Sequence, residues 1–376
     1  MKLKLILGLI FLSYLILKPF YFWSSGLPQI SDLLLALSLP FFILDLKGKI
    51  IFSKVSEKNY FSFFLFFIFY CFLVNLSWSI IEQDPEPLIY SLYLAFNFYF
   101  ITLFYYLLTN GTIKSKSIII AFFSSSLALF VLSFVLRTPF PRQIVTFNNP
   151  NQLASYSMLL IMFCLYIYLK SKAMLVFKYK IMLISIILIN SYLIAISLSA
   201  GALLSVPLSF LLLALYRYKK YVPIVGLLSF ALTVGVGAYL QGNTDFAESV
   251  NSRIEKKEGG PSIIYERGYD RIFNHPEYTI LGAGEGLRYR LKSFIIDGEY
   301  KLELHSTVGT LFFSYGFIAS FLIFFVITKY NYRDVDFFLL LIAMAPYLLT
   351  HNLLRHPFLW MFLFVPLFYK RLEEVK

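Results

Sequence analysis

Apolar runs of about 20 residues alternate along the chain with short polar segments, and each run is long enough to cross a bilayer as a helix. By that length rule the pattern predicts roughly twelve crossings, near 5–23, 27–44, 60–80, 88–108, 118–136, 152–169, 181–198, 201–216, 222–240, 307–327, 337–353 and 358–369. One hydrophilic stretch breaks the rhythm: Gln241 to His305 lies between the ninth and tenth runs. The predicted architecture is all-α and polytopic. It divides into transmembrane helices 1–9 (residues 1–240), a loop domain (241–306), and helices 10–12 with a polar tail (307–376). The chain begins Met1-Lys2-Leu3-Lys4 and then turns apolar, as a secretion signal does. No small-residue cleavage site follows, so this segment is predicted to be a retained first helix.

Composition agrees with the pattern. At 59% hydrophobic and 14% charged residues, the chain has the statistics of an integral membrane protein rather than of a soluble core. A formal charge of +12 would suggest nucleic acid as the partner of a soluble protein. Here the basic residues sit mostly between the apolar runs, where they set orientation, and no nucleic-acid partner is expected. Cys71 and Cys164 both lie inside apolar runs, far apart in sequence, and read as small buried hydrophobes rather than as a disulfide or metal pair.

Orientation follows from those basic residues. Of the 33 lysines and arginines, 20 fall on the side of the N-terminus, 4 in the short opposite loops (Lys18, Arg137, Arg142, Arg355) and 9 in the long loop. Short loops decide topology, because long ones translocate largely regardless of charge. Both termini are therefore predicted to be cytoplasmic and the long loop to lie outside. Arginine is distributed unlike lysine: of eleven, only Arg217, Arg333 and Arg371 are predicted cytoplasmic. A guanidinium is a fixed fork of donors suited to phosphate, so an outer face rich in arginine looks built for an anion. Pairing with the eleven acidic residues of the same loop is the competing reading.

Within the loop, Pro261 to Asn274 predicts a short helix begun by Gly259-Gly260-Pro261 and stopped by His275-Pro276. It would carry Arg267 and Arg271 at i, i+4 on one face, a like-charge spacing that an anion or Asp270 would offset. Leu281-Gly282-Ala283-Gly284-Glu285-Gly286 has glycine spacing reminiscent of a dinucleotide loop, but without a strand before it and a helix after it a tight turn is expected. His305 stands where the chain re-enters an apolar run. A neutral imidazole there can take a proton from a sugar hydroxyl, or can simply cap the helix it opens. His275, His351 and His356 read as structural.

Other chemistries lack their signatures. There is no metal-ligand spacing, no phosphate-binding Gly-x-x-x-x-Gly-Lys loop, no Gly-x-Ser-x-Gly elbow and no outer Asp-x-Asp pair, so neither metal nor cofactor is expected. The turn Glu82-Gln83-Asp84-Pro85-Glu86-Pro87 clusters carboxylates that could include a general base, although a solvated turn is the simpler reading. An outward-facing enzyme without nucleotide motifs needs a donor that carries its own activation, and a lipid-linked pyrophosphate fits an arginine-lined site.

Three stretches carry a resemblance. His305-Ser306 followed after nine residues by Gly316, His275-Pro276 leading into Gly282-Ala283-Gly284, and Phe147-Asn148-Asn149-Pro150-Asn151-Gln152-Leu153-Ala154 opening the sixth run resemble, in that topological setting, the O-antigen ligase and polymerase superfamily of bacterial membrane glycosyltransferases. The likeness is best over residues 140–325. The resemblance implies a bacterial inner-membrane enzyme whose long loop is periplasmic. It further implies metal-independent glycosyl transfer from an undecaprenyl-diphosphate-linked oligosaccharide to a glycan or a lipid A core, within the membrane lipid and with a chain-length regulator as a possible partner. On that basis His305 would activate or position the acceptor hydroxyl, and Arg267, Arg271 and Arg288 would hold the diphosphate. Where many members read Ser-Arg-Gly-Ala, this chain has Ser199-Ala200-Gly201-Ala202; Arg142 or Arg355 would have to substitute. The departure favours a repeat-unit polymerase over a ligase. A transporter or flippase of lipid-linked sugars is the alternative from another class, disfavoured because no internal repeat or intramembrane ion pair is visible.

Overall fold

Proline or glycine stands at each break where an apolar run folds as two helices, while Pro207 sits inside a run that stays one helix. The computed structural model describes residues 2–24, 28–46, 55–136, 142–170, 176–217, 230–231, 235, 263–286, 295–296, 299–300 and 304–374. After α1 (Lys2–Leu17), the run predicted at 27–44 is divided into α2 (Ile30–Ala36) and α3 (Leu39–Leu46). Pro40 has no N–H to return to Ala36, so the helix stops there, and Ser38 Oγ donates back to the Leu35 carbonyl at 2.6 Å. The following runs are uninterrupted. They form α4 (Val55–Glu82), α5 (Glu86–Thr109), α6 (Ser115–Val135), α7 (Pro150–Lys170) and α8 (Phe177–Ser197), five helices long and apolar enough to cross a membrane. The next, α9 (Ala200–Tyr216), is apolar but shorter. The crossing predicted at 222–240 lies outside the described residues apart from Phe230, Ala231 and Gly235.

In the loop, α10 (Ile263–Glu266) and α11 (Asp270–Asn274) precede a two-residue antiparallel pair, β1 (Ile295–Ile296) and β2 (Glu299–Tyr300). The three last predicted crossings are each interrupted. The first becomes α12 (Thr307–Ser314) and α13 (Gly316–Asn331), the second α14 (Val335–Ala343) and α15 (Ala345–Leu348), the third α16 (Pro357–Leu363) and α17 (Val365–Glu374). Pro346 and Pro366 repeat the effect of Pro40, each denying an N–H to the carbonyl four residues earlier.

The α12–α13 break is a glycine device. Gly316 has φ +76°, and a Cβ there would fall 2.8 Å from the Gly282 nitrogen and onto the Ile280 carbonyl. Gly282, at φ +101°, would in turn place a Cβ 2.6 Å from the Ser314 oxygen. The two glycines cross backbone to backbone, which physically joins the His305…Gly316 and Gly282-x-Gly284 motifs. Gly316→Ala is expected to cost roughly 1–3 kcal/mol in backbone strain and more from the clash, seen as a lower melting temperature of the solubilised protein. An unchanged melting curve would contradict this geometry.

The helix α7 is the axis of the bundle. Every side chain from Leu153 to Ile167 is buried, and the helix packs on α8, α9 and α16. By contrast α4 turns Leu65, Phe66, Phe69, Phe72 and Leu73 outward, a continuous apolar stripe at helical spacing that suits lipid and not water. These apolar helices are compatible with a membrane protein. At the C-terminal end of α7, Lys170 pairs with Asp334 at 2.9 Å and Asp336 at 3.1 Å, Arg217 pairs with Asp336, and Tyr166 donates to Asp334 at 2.7 Å. This charged collar ties α7, α9 and α14 together. The other end of the 21-residue helix is about 30 Å away at 1.5 Å per residue, one bilayer core in length, and there the candidate site lies.

One expectation is corrected. An ion pair does lie among the helices: Lys18, just past α1, meets Asp32 of α2 at 2.6 and 2.7 Å, both side chains almost fully buried. Asp32 also accepts from the Gln29 amide at 2.8 Å, so the pair fastens two helix ends to one another. It was invisible in sequence because Lys18 is the single charge at the end of an apolar run and reads as a boundary marker.

Candidate functional site

A cavity of about 620 Å³ opens at the N-terminal end of α7, within the size range of ligand pockets. Segments predicted to lie on the outer side converge on it. The first turns of α5 supply Glu86, Ile89, Tyr90 and Tyr93, on one helical face. The start of α7 supplies Asn149, Asn151, Gln152 and Ser155. The turn between α15 and α16 adds His351, Asn352, Leu353, Arg355 and His356, and the long loop adds Arg267 and His305. Tyr21 and Tyr347 complete the wall.

His305 is exposed and precedes α12 without capping it. Capping is done by Ser306, whose Oγ accepts from the Gly309 amide at 2.9 Å. Of the two readings of His305, the helix cap is therefore assigned to its neighbour. The histidine is held through its backbone, its N–H donating to the Arg267 carbonyl at 3.1 Å. Tyr269 locks the same corner: its hydroxyl meets Ser306 Oγ at 2.6 Å and donates to the Leu349 carbonyl at 2.7 Å. Thr307 binds across to the α15–α16 turn, its N–H and Oγ1 both donating to the His351 carbonyl at 3.0 and 2.8 Å, while the Leu353 N–H donates to Thr307 Oγ1 at 2.9 Å.

The predicted arginines separate. The single helix expected over 261–274 is broken at Gly268, which has φ +76°. Tyr269 N–H donates to Ile264 O at 2.8 Å and Gly268 N–H to Tyr265 O at 3.2 Å, the paired bonds of a Schellman stop. Arg267 and Arg271 consequently do not share a face. Arg267 lines the cavity, with Nη1 on the Thr350 carbonyl at 2.9 Å and Nη2 on Glu266 at 3.0 Å. Arg271, buried, lines a smaller adjoining pocket with Gly284, Glu285, Asn352 and Arg355. Arg142 stands behind the wall: Nε donates to the Ser197 carbonyl at 2.8 Å and Nη2 to Asn151 Oδ1 at 2.7 Å, beside the turn where Ala200 stands in place of the expected arginine. Arg288 lies outside the described residues.

Sequence reasoning missed the partner of Arg355. Glu285, 5% exposed, accepts from Arg355 Nε at 2.9 Å and Nη2 at 2.6 Å, and its other oxygen accepts from Tyr315 at 2.5 Å. The guanidinium lies over the Tyr90 ring at 4.0 Å. The glycines around Glu285 form the expected turn, not a phosphate cradle. The N–H groups from Gly282 to Glu285 are spent on protein: Gly282 on Tyr278 O at 2.8 Å, and Ala283 on Phe313 O, Gly284 on Ser314 O and Glu285 on Asn75 Oδ1, each at 2.9 Å. The tyrosines at 90 and 93 were legible as a helical continuation of Glu86. The link between Tyr347 and Asn151 O, at 2.6 Å across 196 positions, was not.

His351, past the end of α15, stacks on Tyr347 at 4.2 Å and has Nδ1 3.0 Å from Thr350 Oγ1. Burial first, then the charges of Arg267, His305 and Arg142, pull its pKa down to about 3. His356 is likewise pulled down to about 3, by burial and then by Lys18. Both rings are neutral in the folded protein while the unfolded chain takes up protons below about pH 6.5, so this contribution to stability is present at neutral pH and is lost as pH falls from there toward 3. The melting temperature of solubilised protein is expected to drop between pH 7 and 5, and to drop less in the His351→Gln/His356→Gln variant. Identical pH slopes would refute the assignment.

No protein-family model matches the chain, and no curated protein or solved structure gives a significant match.

Proposed function

We propose that this chain is a bacterial inner-membrane glycosyltransferase of about twelve crossings, working at the periplasmic face on an undecaprenyl-diphosphate-linked glycan. The reading takes it to be the polymerase of polysaccharide repeat units, as the motifs around His305, Gly282 and Asn149 resemble those of the O-antigen ligase and polymerase superfamily. The observation that carries the proposal is the meeting of Arg267 and His305 with neutral amide and tyrosine side chains on one cavity. Arginine suits a diphosphate, an exposed imidazole suits proton transfer, and the amides and tyrosines suit sugar hydroxyls. In the proposed step His305 takes the proton of the acceptor hydroxyl, whose oxygen bonds to the anomeric carbon. The bond from that carbon to the diphosphate oxygen breaks, and the lipid diphosphate leaves with its electron pair. Arg267 stabilises the charge growing on the leaving group, and the in-line displacement inverts the anomeric centre. The Lys18–Asp32 pair does not line the cavity, so it lends no support to a transporter.

The test is glycan length on gels from cells lacking the gene, complemented with wild type or with Arg267→Ala. A polymerase gives a ladder with wild type and single units on the core with the variant, with an expected loss of about 10²–10³-fold in chain extension. Long chains accumulating on the carrier, with none on the core, would make the protein a ligase. A full ladder from the variant at normal protein level would remove the proposed site.

A further inference from the structure

We propose that Nε2 of His351 is a fixed hydrogen-bond acceptor for a hydroxyl or amide N–H of the bound glycan, in the cavity that also holds Arg267 and His305. The inference rests on the glycosyltransferase reading and adds a specificity-determining residue to it. The hydrogen bonds around Thr350 fix which ring nitrogen carries the proton. Thr350 Oγ1 lies 2.7 Å from the Pro346 carbonyl oxygen and 3.0 Å from His351 Nδ1. Two oxygens come that close only with a hydrogen between them, and a carbonyl has none, so the Thr350 hydroxyl spends its single proton on Pro346. The Tyr347 carbonyl is no competitor. It is 3.3 Å from Oγ1 and already accepts the N–H groups of Thr350 at 3.0 Å and His351 at 2.8 Å. The contact at Nδ1 therefore needs the proton on nitrogen. A neutral imidazole carries one N–H, and Nε2 is left as a bare acceptor.

The ring is neutral and held in place. Burial first, then the charges of Arg267, His305 and Arg142, keep a second proton off it at pH 7. Tyr347 stacks on it at 4.2 Å and is itself tied to Asn151 O at 2.6 Å. Nε2 has no hydrogen-bond partner among the described residues, and it is not sealed in as His356 Nδ1 is; it opens on the cavity that His351 lines. A lone pair there repels an anionic oxygen, and it is too weakly basic to take the reacting proton. What it matches is a donor, a sugar O–H or an acylamino N–H. The Thr350 carbonyl also accepts from Arg267 Nη1 at 2.9 Å, so one residue anchors both an anion-binding group and a donor-seeking one. A glycosyl diphosphate presents both partners, charge on its phosphates and donors on its sugar ring.

Two experiments on the full chain test this. The first is solid-state NMR of the protein in lipid vesicles with isotopically labelled ring nitrogens. The chain has four histidines, and the signals of His351 are assigned by their loss in His351→Gln. At pH 7 its Nδ1 is expected to be protonated and its Nε2 bare, with or without inorganic pyrophosphate. A proton on Nε2, or a second proton taken up when pyrophosphate is added, would overturn the assignment. The second is glycan length in cells lacking the gene and complemented with variants. His351→Phe keeps a ring to stack on Tyr347 but loses the acceptor, so chain extension is expected to fall about fivefold at normal protein level, the scale of one hydrogen bond. Glutamine places an oxygen near the position of Nε2, whereas asparagine places a donor near that of Nδ1. His351→Gln is therefore expected to recover chain length and His351→Asn is not. Recovery by asparagine alone, or a wild-type ladder from His351→Phe, would leave His351 a structural residue and overturn the proposal. Deletion of the gene without change in the glycan would instead remove the glycosyltransferase reading, and with it a glycan as the ligand of Nε2.

Discussion

His305→Ala is expected to lower the proposed glycosyl transfer by about 10²–10⁴-fold, the usual contribution of a positioned general acid or base, which corresponds to about 2.7–5.4 kcal/mol of barrier. The effect should be on chemistry and not on folding. The imidazole is exposed, the cap of α12 is supplied by Ser306, and the bond from His305 to the Arg267 carbonyl is made by backbone that alanine retains. Membrane levels and melting temperature should therefore match wild type while glycan on gels stops at single units. His305→Ala protein that accumulates normally and still builds a full ladder would remove His305 from the mechanism and make Glu86, the carboxylate on the same cavity, the base to examine.

The largest stability effect is expected at a residue with no role in bond breaking. Glu285→Ala leaves the guanidinium of Arg355 without the carboxylate that receives two of its N–H groups, and leaves the Tyr315 hydroxyl without its acceptor. Breaking one side of a buried ion pair typically costs about 3–5 kcal/mol, because the remaining charge stays desolvated. In a protein of this size that is expected to appear as reduced accumulation and an earlier unfolding transition in size-exclusion profiles taken after heating. Glu285→Gln keeps the shape and one acceptor oxygen and should fall between the two. The same substitution disturbs both the main cavity and the pocket holding Arg271, because Arg355 and Asn352 line each of them. A Glu285→Ala protein as heat-resistant as wild type would show that the pair is dispensable.

Breaks in the helices and contents of the site were legible to different degrees. Pro40, Pro346 and Pro366 each announce an interruption by a local rule, and averaging hydrophobicity over about 20 residues conceals it. Gly268 is a similar case: the Gly-Pro start and His-Pro stop around 261–276 outline a helix, but the glycine inside it ends the first turns and sends Arg267 and Arg271 to different pockets. Arg142 was legible as an outer arginine. That it braces Asn151 from behind depends on where α8 ends relative to α7.

Two things about this protein were determined by the chain alone. The length and apolar character of its runs make helices suited to a membrane, because burial of each residue's own surface is a local sum, and the placement of single charged residues marks the ends of those helices. The tertiary structure decided which polar groups meet. Glu285 and Arg355 are 70 positions apart, Tyr347 and Asn151 196. Such partners are brought within 3 Å by the crossing of helices and by backbone passing against backbone at Gly316 and Gly282, and no period along one helix encodes a contact between two.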